Sequence, residues 1–228
     1  MEKQGPTQTR KIKPTRRSVS GIYAFRGKTA IAYESTLERD FIIRKEFDLR
    51  VQKIIPQPIQ IPFVLPSGRA YTYTPDFLVY FQSANERGGI CTKPVLIEVK
   101  EESEWRENWR SWLPKWKAAY RYARQEGWTF KIQDESRIRD DDAFKNIKFL
   151  EIYQRMHFPA EELQKTLERV RLMGSVTCQD VLPAQVKDEL SNRHAKSLVW
   201  HLLATRRLDC DISQPLNDQT TLWESING

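Results

Sequence analysis

The chain has 228 residues, 39% apolar and 29% charged, the balance of an ordinary globular protein with room for one large domain or two smaller ones. No apolar run approaches the roughly 20 residues that cross a bilayer, and no apolar signal segment opens the chain, so membrane and secretory roles are not expected. The net charge of +7 is local: residues 1–30 hold eight Lys/Arg against one acid, residues 31–154 twenty against nineteen, and residues 155–228 nine against ten.

That distribution divides the chain into a basic N-terminal arm over 1–30, a central domain over 31–154 and a C-terminal domain over 155–228. The arm centres on Arg10, Lys11, Lys13, Arg16 and Arg17, interrupted by Pro14. A segment of this kind is extended when free and drawn to phosphates, so these five side chains are candidate DNA contacts; a solvated tail is the plainer alternative.

Ser35, followed three residues later by Glu38, forms a capping box and predicts a helix over 36–49. Residues 51–65, rich in Ile and Val and broken by Pro56, Pro58 and Pro62, predict edge strands. Pro66-Ser67-Gly68-Arg69 is a turn that returns the chain along 70–73 as a hairpin. Apolar strands over 77–81 and 95–100 flank a polar loop over 83–93. Trp116, Ala119, Tyr120 and Ala123 recur at i, i+3, i+4 and i+7, an amphipathic helix with Pro114 in its first turn and Gly127 at its stop. A strand over 128–133 and a short helix over 142–148 leading into an apolar segment over 149–153 complete an α/β arrangement, a mixed sheet flanked by helices.

After His157 three helical patterns follow, over 159–173, 183–192 and 195–208. Two short strands over 210–212 and 220–223 then surround the turn Pro215-Leu216-Asn217-Asp218. Three helices and a terminal hairpin outline a small winged-helix-like α+β domain. Its last helix spends Leu198, Val199, Trp200, Leu202 and Leu203 on the core and leaves Lys196, Arg206 and Arg207 for phosphates, which suits protein docking better than duplex binding. Cys91, Cys178 and Cys210 are odd in number and widely spaced, as in a reducing compartment. A zinc site from Cys178, His194, His201 and Cys210 matches no familiar ligand spacing, and packing is the plainer role.

The chemistry concentrates on Asp76 and Glu98, which interrupt otherwise apolar strands. Alternate residues of a strand share a face, so Glu98 and Lys100 point one way and Val99 points into the opposite layer. Each acid has a plain reading alone: Glu38 as a capping residue, Asp76 at a strand entry, Glu98 and Lys100 as a solvent-facing pair. A buried carboxylate is costly unless paired or bound to metal, and two on neighbouring strands beside a lysine make a built site. Hard carboxylate oxygens and a nearby ammonium suit a divalent cation and phosphodiester hydrolysis.

Glu38 in the first helix, Pro75-Asp76, and Glu98-Val99-Lys100, in that order, resemble the restriction-endonuclease-like nuclease superfamily. The Ser35-Thr36-Leu37-Glu38 helix start, the Thr74-Pro75-Asp76-Phe77 strand, the strand–helix–strand that follows and the C-terminal winged helix resemble one branch of it, TnsA. Members of that family are endonuclease subunits of heteromeric cut-and-paste transposases, CRISPR-guided ones included. The resemblance covers residues 20–225. It implies a Mg²⁺-dependent DNA endonuclease, with Mn²⁺ able to substitute, that hydrolyses the 5′ strands at transposon ends. It implies a catalytic set of Glu38, Asp76, Glu98 and Lys100. Asp76 and Glu98 would ligate the metal with the Val99 carbonyl, Glu38 would hold a second ion or orient a water, and Lys100 would position the attacking water. Some members carry Gln where this chain has Glu98, which leaves the metal role of Asp76 the firmer of the two. The implied partners are double-stranded transposon-end DNA, a DDE-type transposase subunit and an AAA+ regulator ATPase, in the bacterial cytoplasm at the nucleoid. A restriction- or repair-type endonuclease would share these residues and differ in partners. A catalytically degenerate adaptor would have no physical reason to keep the full set of costly carboxylates.

Overall fold

A computed structural model of the chain describes residues 6–9, 19–82, 92–182 and 189–225. Arg10, Lys11, Lys13, Arg16 and Arg17, most of the expected 83–93 loop and the start of the helix expected over 183–192 lie outside the described residues. The chain divides into two units, Met1–Arg139 and Asp140–Gly228.

The first unit opens with β1 (Gly21–Phe25) and β2 (Thr29–Tyr33), an antiparallel hairpin turned through Arg26 and Gly27 at φ +50° and +65°. Strand β1, the turn and the first two residues of β2 fall within the 1–30 stretch that the charge pattern assigned to the basic arm. Helix α1 (Thr36–Phe47) is capped as expected on one side, the Glu38 N–H donating to Ser35 Oγ at 3.1 Å, while Glu38 Oε2 reaches one residue further and accepts the N–H of Glu34 at 2.8 Å. Then follow β3 (Val51–Pro56), the hairpin β4 (Ile61–Val64) and β5 (Ala70–Tyr73), β6 (Phe77–Phe81), β7 (Val95–Val99), helix α2 (Glu102–Gln125), β8 (Thr129–Gln133) and the single turn α3 (Glu135–Ile138).

The central sheet has the order β3-β6-β7-β8, antiparallel except for the parallel pair β7 and β8, whose crossover is α2. Period-two alternation sends its side chains into two layers. Phe77, Val79, Ile97 and Val99 pack with Leu37, Phe41 and Ile42 of α1, and the Phe41 and Phe77 rings stack at 5.2 Å. Leu78 and Leu96 pack on the other side with Tyr73 and with Trp116, Ala119 and Ala123 of α2. Helix α2 starts at Glu102, twelve residues before the expected start, and runs through Pro114. Tyr120 is 51% exposed, so it does not belong to the buried stripe expected of it.

In the second unit, residues 142–153 are not a short helix and a separate apolar segment but one helix, α4 (Asp142–Gln154), capped by Asp141 Oδ1 on the Phe144 N–H at 2.7 Å. The elements α5 (Ala160–Met173), β9 (Ser175–Thr177), α6 (Cys178–Val181), α7 (Glu189–Ala204), β10 (Leu208–Asp209) and β11 (Thr221–Glu224) follow. Their helix–strand–helix–helix–strand–strand order, with a β10-β11-β9 antiparallel sheet, is that of a winged helix. Helix α7 runs unbroken through 192–195, where the sequence suggested a gap, and buries Leu198, Val199, Trp200, Leu202 and Leu203. Helix α4, which the sequence placed with the central domain, packs on α7 through an edge-to-face contact of Phe149 with Trp200 at 5.6 Å. No described helix is long and apolar enough to cross a membrane.

Candidate active site

The register of β6 on β7 builds the site. Phe77 pairs with Ile97, which sets Asp76, one residue before β6, opposite Glu98. Backbone and side chain then lock that placement: the Asp76 N–H donates to the Ile97 carbonyl at 3.0 Å, and Asp76 Oδ2 accepts the Val99 N–H at 2.7 Å. Gln57, buried and at φ +44°, donates its N–H to the Asp76 carbonyl at 2.7 Å and its side-chain amide to Glu34 Oε2 at 3.1 Å.

Glu98 is 2% exposed and lies in the α2 layer. Its Oε2 accepts the Tyr73 hydroxyl, and its Oε1 accepts Lys115 Nζ at 3.2 Å. Val99 points into the α1 layer, as strand alternation requires. Lys100 follows the end of β7, its Nζ 3.9 Å from Glu104 Oε2 and 5.7 Å from the Trp112 ring centroid.

The electrostatics tie the four expected residues into one group. Burial, and then the charges of Glu98 and Glu38, push the Asp76 carboxyl well above the ordinary range, against the pull of the Val99 N–H and Lys100. Burial likewise raises Glu38, despite its bonds to Glu34 and Ser35 and the charge of Lys100. For Lys100, burial lowers the pKa, but Asp76, Glu98, Glu104 and Glu38 together outweigh it and the net shift is upward. Burial and the neighbouring charges of Glu98 and Asp76 raise the Tyr73 phenol well above its usual value, so it stays a neutral donor.

Two stretches of the chain match family models: residues 48–135 match "TnsA-like endonuclease N terminal" and residues 140–212 match "TnsA endonuclease C terminal". The chain belongs to the TnsA endonuclease family. A comparison with curated proteins finds no match. The two TnsA matches fall on either side of the boundary between Arg139 and Asp140. The first contains Asp76, Glu98, Val99 and Lys100, whereas Glu38 precedes it. Membership makes this chain a nuclease of Tn7-type transposition, with a restriction-endonuclease-like α/β fold and DNA as its substrate.

For a TnsA-family site the donor chemistry fits Mg²⁺. The acids present hard carboxylate oxygens, and their mutual repulsion in a half-buried pocket is what a cation relieves. Among the described residues no group of three or more His, Cys, Asp or Glu side chains is arranged to hold a metal ion by itself. Mg²⁺ takes one or two carboxylates and completes its shell with water and phosphate oxygens. Of the four residues weighed for zinc, Cys178 and Cys210 are buried free thiols, His194 bonds Glu162, and His201 Nδ1 meets the Tyr153 carbonyl.

Sequence reasoning missed Tyr73, Lys115 and Gln57. Tyr73 stands within the Tyr-Thr-Pro-Asp run itself, and its alternation with Thr74 was the available signal. Lys115 reaches Glu98 only through the β7–α2 crossover, which no local spacing reveals.

Proposed function

We propose that this chain is the Mg²⁺-dependent subunit that hydrolyses the 5′ strands at transposon ends. The observation that carries the reading is Asp76 opposite Glu98, clasped by the Val99 N–H, with Lys100 at the same end of the sheet. Asp76 and Glu98, with the Val99 carbonyl, would hold the ion, and Glu38 a second ion or a water. Bound there, Mg²⁺ (or Mn²⁺) supplies Lewis acidity toward the phosphate and a more acidic water. Lys100, kept charged by the surrounding carboxylates, orients the attacking water and meets the charge that builds on the phosphoryl oxygens. Tyr73 and Lys115 fix the Glu98 carboxylate. Arg10, Lys11, Lys13, Arg16 and Arg17 contact backbone phosphates of the transposon end.

The partners of this reading are a DDE-type transposase subunit, which cuts and joins the 3′ ends, and an AAA+ regulator ATPase. The C-terminal match favours it over a restriction- or repair-type enzyme, which has no need of that domain. The test is a nicking assay on a plasmid carrying transposon ends, with the full chain, Mg²⁺ and the transposase subunit present or absent. Nicks mapping to the 5′ strands, dependent on Mg²⁺ and on the partner, are expected. Specific cleavage by the chain alone would establish the restriction-type alternative, and no cleavage under any condition the adaptor.

A further inference from the structure

Glu98 has a second lysine beside it, and that lysine is not Lys100. Helix α2 places Lys115 Nζ 3.2 Å from Glu98 Oε1, with only 18% of the Lys115 side chain and 3% of the Glu98 side chain exposed. Three rings enclose the ammonium: Trp112 at 4.5 Å, Tyr73 at 5.0 Å and Trp116 at 5.9 Å from their centroids. Aromatic faces attract a cation without offering a competing carboxylate, so Glu98 is the anion this ammonium is held against. The Tyr73 hydroxyl occupies the other carboxylate oxygen. Both oxygens of Glu98 are thereby engaged by donors of the chain itself, one of them charged. Lys100 has its own closest carboxylate in Glu104, at 3.9 Å, and shares the Trp112 ring with Lys115.

A carboxylate paired with a buried ammonium brings little net charge to its surroundings. We propose that Lys115 is a positioning residue that fixes the orientation of Glu98 and offsets part of its charge, so that most of the negative charge offered to a divalent cation comes from Asp76 and Glu38. The proposal rests on the metal-site reading above and deepens it.

The test is a double-mutant cycle of Lys115→Met and Glu98→Gln in the full chain, read by Mn²⁺ binding (electron paramagnetic resonance of the free ion) and by the thermal midpoint in metal-free buffer. Removing the ammonium unmasks an anion near the cation, so Lys115→Met is expected to tighten Mn²⁺ binding at least about tenfold. In the Glu98→Gln background the same substitution removes an uncompensated ammonium and also tightens Mn²⁺ binding, so the coupling between the two residues is read from the thermal midpoint. The midpoint should fall in Lys115→Met, which strands a buried anion, and recover in the double variant. An Mn²⁺ affinity that Lys115→Met leaves unchanged, or a midpoint change that is the same in both backgrounds, overturns the proposal. If Lys115→Met alone does not fold, a folded double variant supports the same coupling and an unfolded one overturns it. Asp76→Asn separates the two readings. Loss of Mn²⁺ binding in that variant upholds the metal site whatever Lys115 does, whereas retained binding overturns the metal site and the proposal with it.

Discussion

The backbone N–H of Val99 donates to Asp76 Oδ2 at 2.7 Å, so the strand that carries Glu98 and Lys100 also holds the carboxylate of the strand beside it. One residue alternates with its neighbours to serve two layers: the Val99 side chain fills the α1 core while its amide orients the site on the α2 side. Site geometry is therefore a by-product of sheet register, and displacing β6 relative to β7 by one residue would disassemble it.

Asp76→Ala is expected to abolish strand cleavage while the chain remains folded. The wild-type carboxylate is held at a cost from burial and from Glu98 and Glu38, so its removal relieves repulsion in the metal-free state. What is lost is several kcal/mol of Lewis-acid assistance in the transition state. Single-turnover nicking at saturating Mg²⁺, with circular dichroism as the control for folding, checks both halves. Near-wild-type cleavage would mean that the site lies elsewhere.

Lys100→Ala should depress turnover far more than DNA affinity. Its ammonium faces charge that develops only as the phosphodiester breaks, and such contacts lower the barrier without tightening the ground state. Side-by-side measurement of the nicking rate and the DNA dissociation constant tests this. Equal losses in both would make Lys100 an ordinary phosphate contact.

What was legible in the sequence was local along the chain. Ser35 with Glu38 fixed the start of α1, Thr74 to Phe77 fixed the entry of β6, and Glu98-x-Lys100 followed from strand alternation. What was not legible depends on residues far apart or on competing signals. The β1–β2 hairpin lay hidden because Arg26 and Lys28, at its turn, continue the positive charge of the preceding arm. Pro114 looked like the first turn of a helix, since an interior proline forfeits a backbone bond at a cost of about 3 kcal/mol. The edge-to-face contact of Trp112 with Trp116, 5.7 Å apart, and the burial of Trp116 hold the helix together across that position. Lys115 is seventeen residues from Glu98, and only the fold brings them into contact.

Glu38 has two tasks, in the capping box and in the acidic cluster, and two substitutions separate them. Glu38→Gln keeps an oxygen to accept the Glu34 N–H and removes the charge; stability should hold within about 0.5 kcal/mol while nicking falls. Glu38→Ala should lose nicking and also about 1 kcal/mol of stability, as for other lost helix caps. Urea melts of the three proteins give the stability order. Full activity in Glu38→Gln would reduce Glu38 to a cap.

The buried thiols set a pH dependence of known sign. Burial raises Cys178 to about 11 and Cys210 to about 12, above the usual 9.0. The folded state therefore binds these protons more tightly than the unfolded chain. The associated stability is complete below pH 9 and declines as pH rises toward those values. At pH 8 the thiolate fraction in the fold is negligible, so alkylation of both residues by iodoacetamide should be slow until urea unfolds the chain. Peptide mapping of the labelled sites checks this, and rapid labelling of Cys178 in the folded chain would refute the burial.

The last expectation concerns where the C-terminal domain begins and what it binds. Helix α4 supplies Phe149 to the Trp200 ring, and Asn146 donates to the carbonyls of Ile212 and Gln214 at 2.9 and 2.7 Å. A fragment starting at residue 155 removes that ring and leaves two carbonyls without their donor, losses of about 3–5 kcal/mol for an aromatic and about 1–3 kcal/mol for an unsatisfied polar group. Set against a total stability of about 5–15 kcal/mol, this should leave 155–228 largely unfolded, while 140–228 folds cooperatively. The folded fragment is then the right object for a binding test. Two of the cations that a recognition helix would turn toward phosphates are already paired: Lys196 with Asp218 at 2.7 Å and Arg206 with Asp209 at 2.9 Å. With α7 spent on the core and its charges compensated, this domain is expected to bind the transposase subunit or the AAA+ regulator more tightly than duplex DNA at about 0.15 M salt. Titrating 140–228 against both proteins and a transposon-end duplex decides the matter. Tight duplex binding with no affinity for either protein would make it a DNA-binding domain after all.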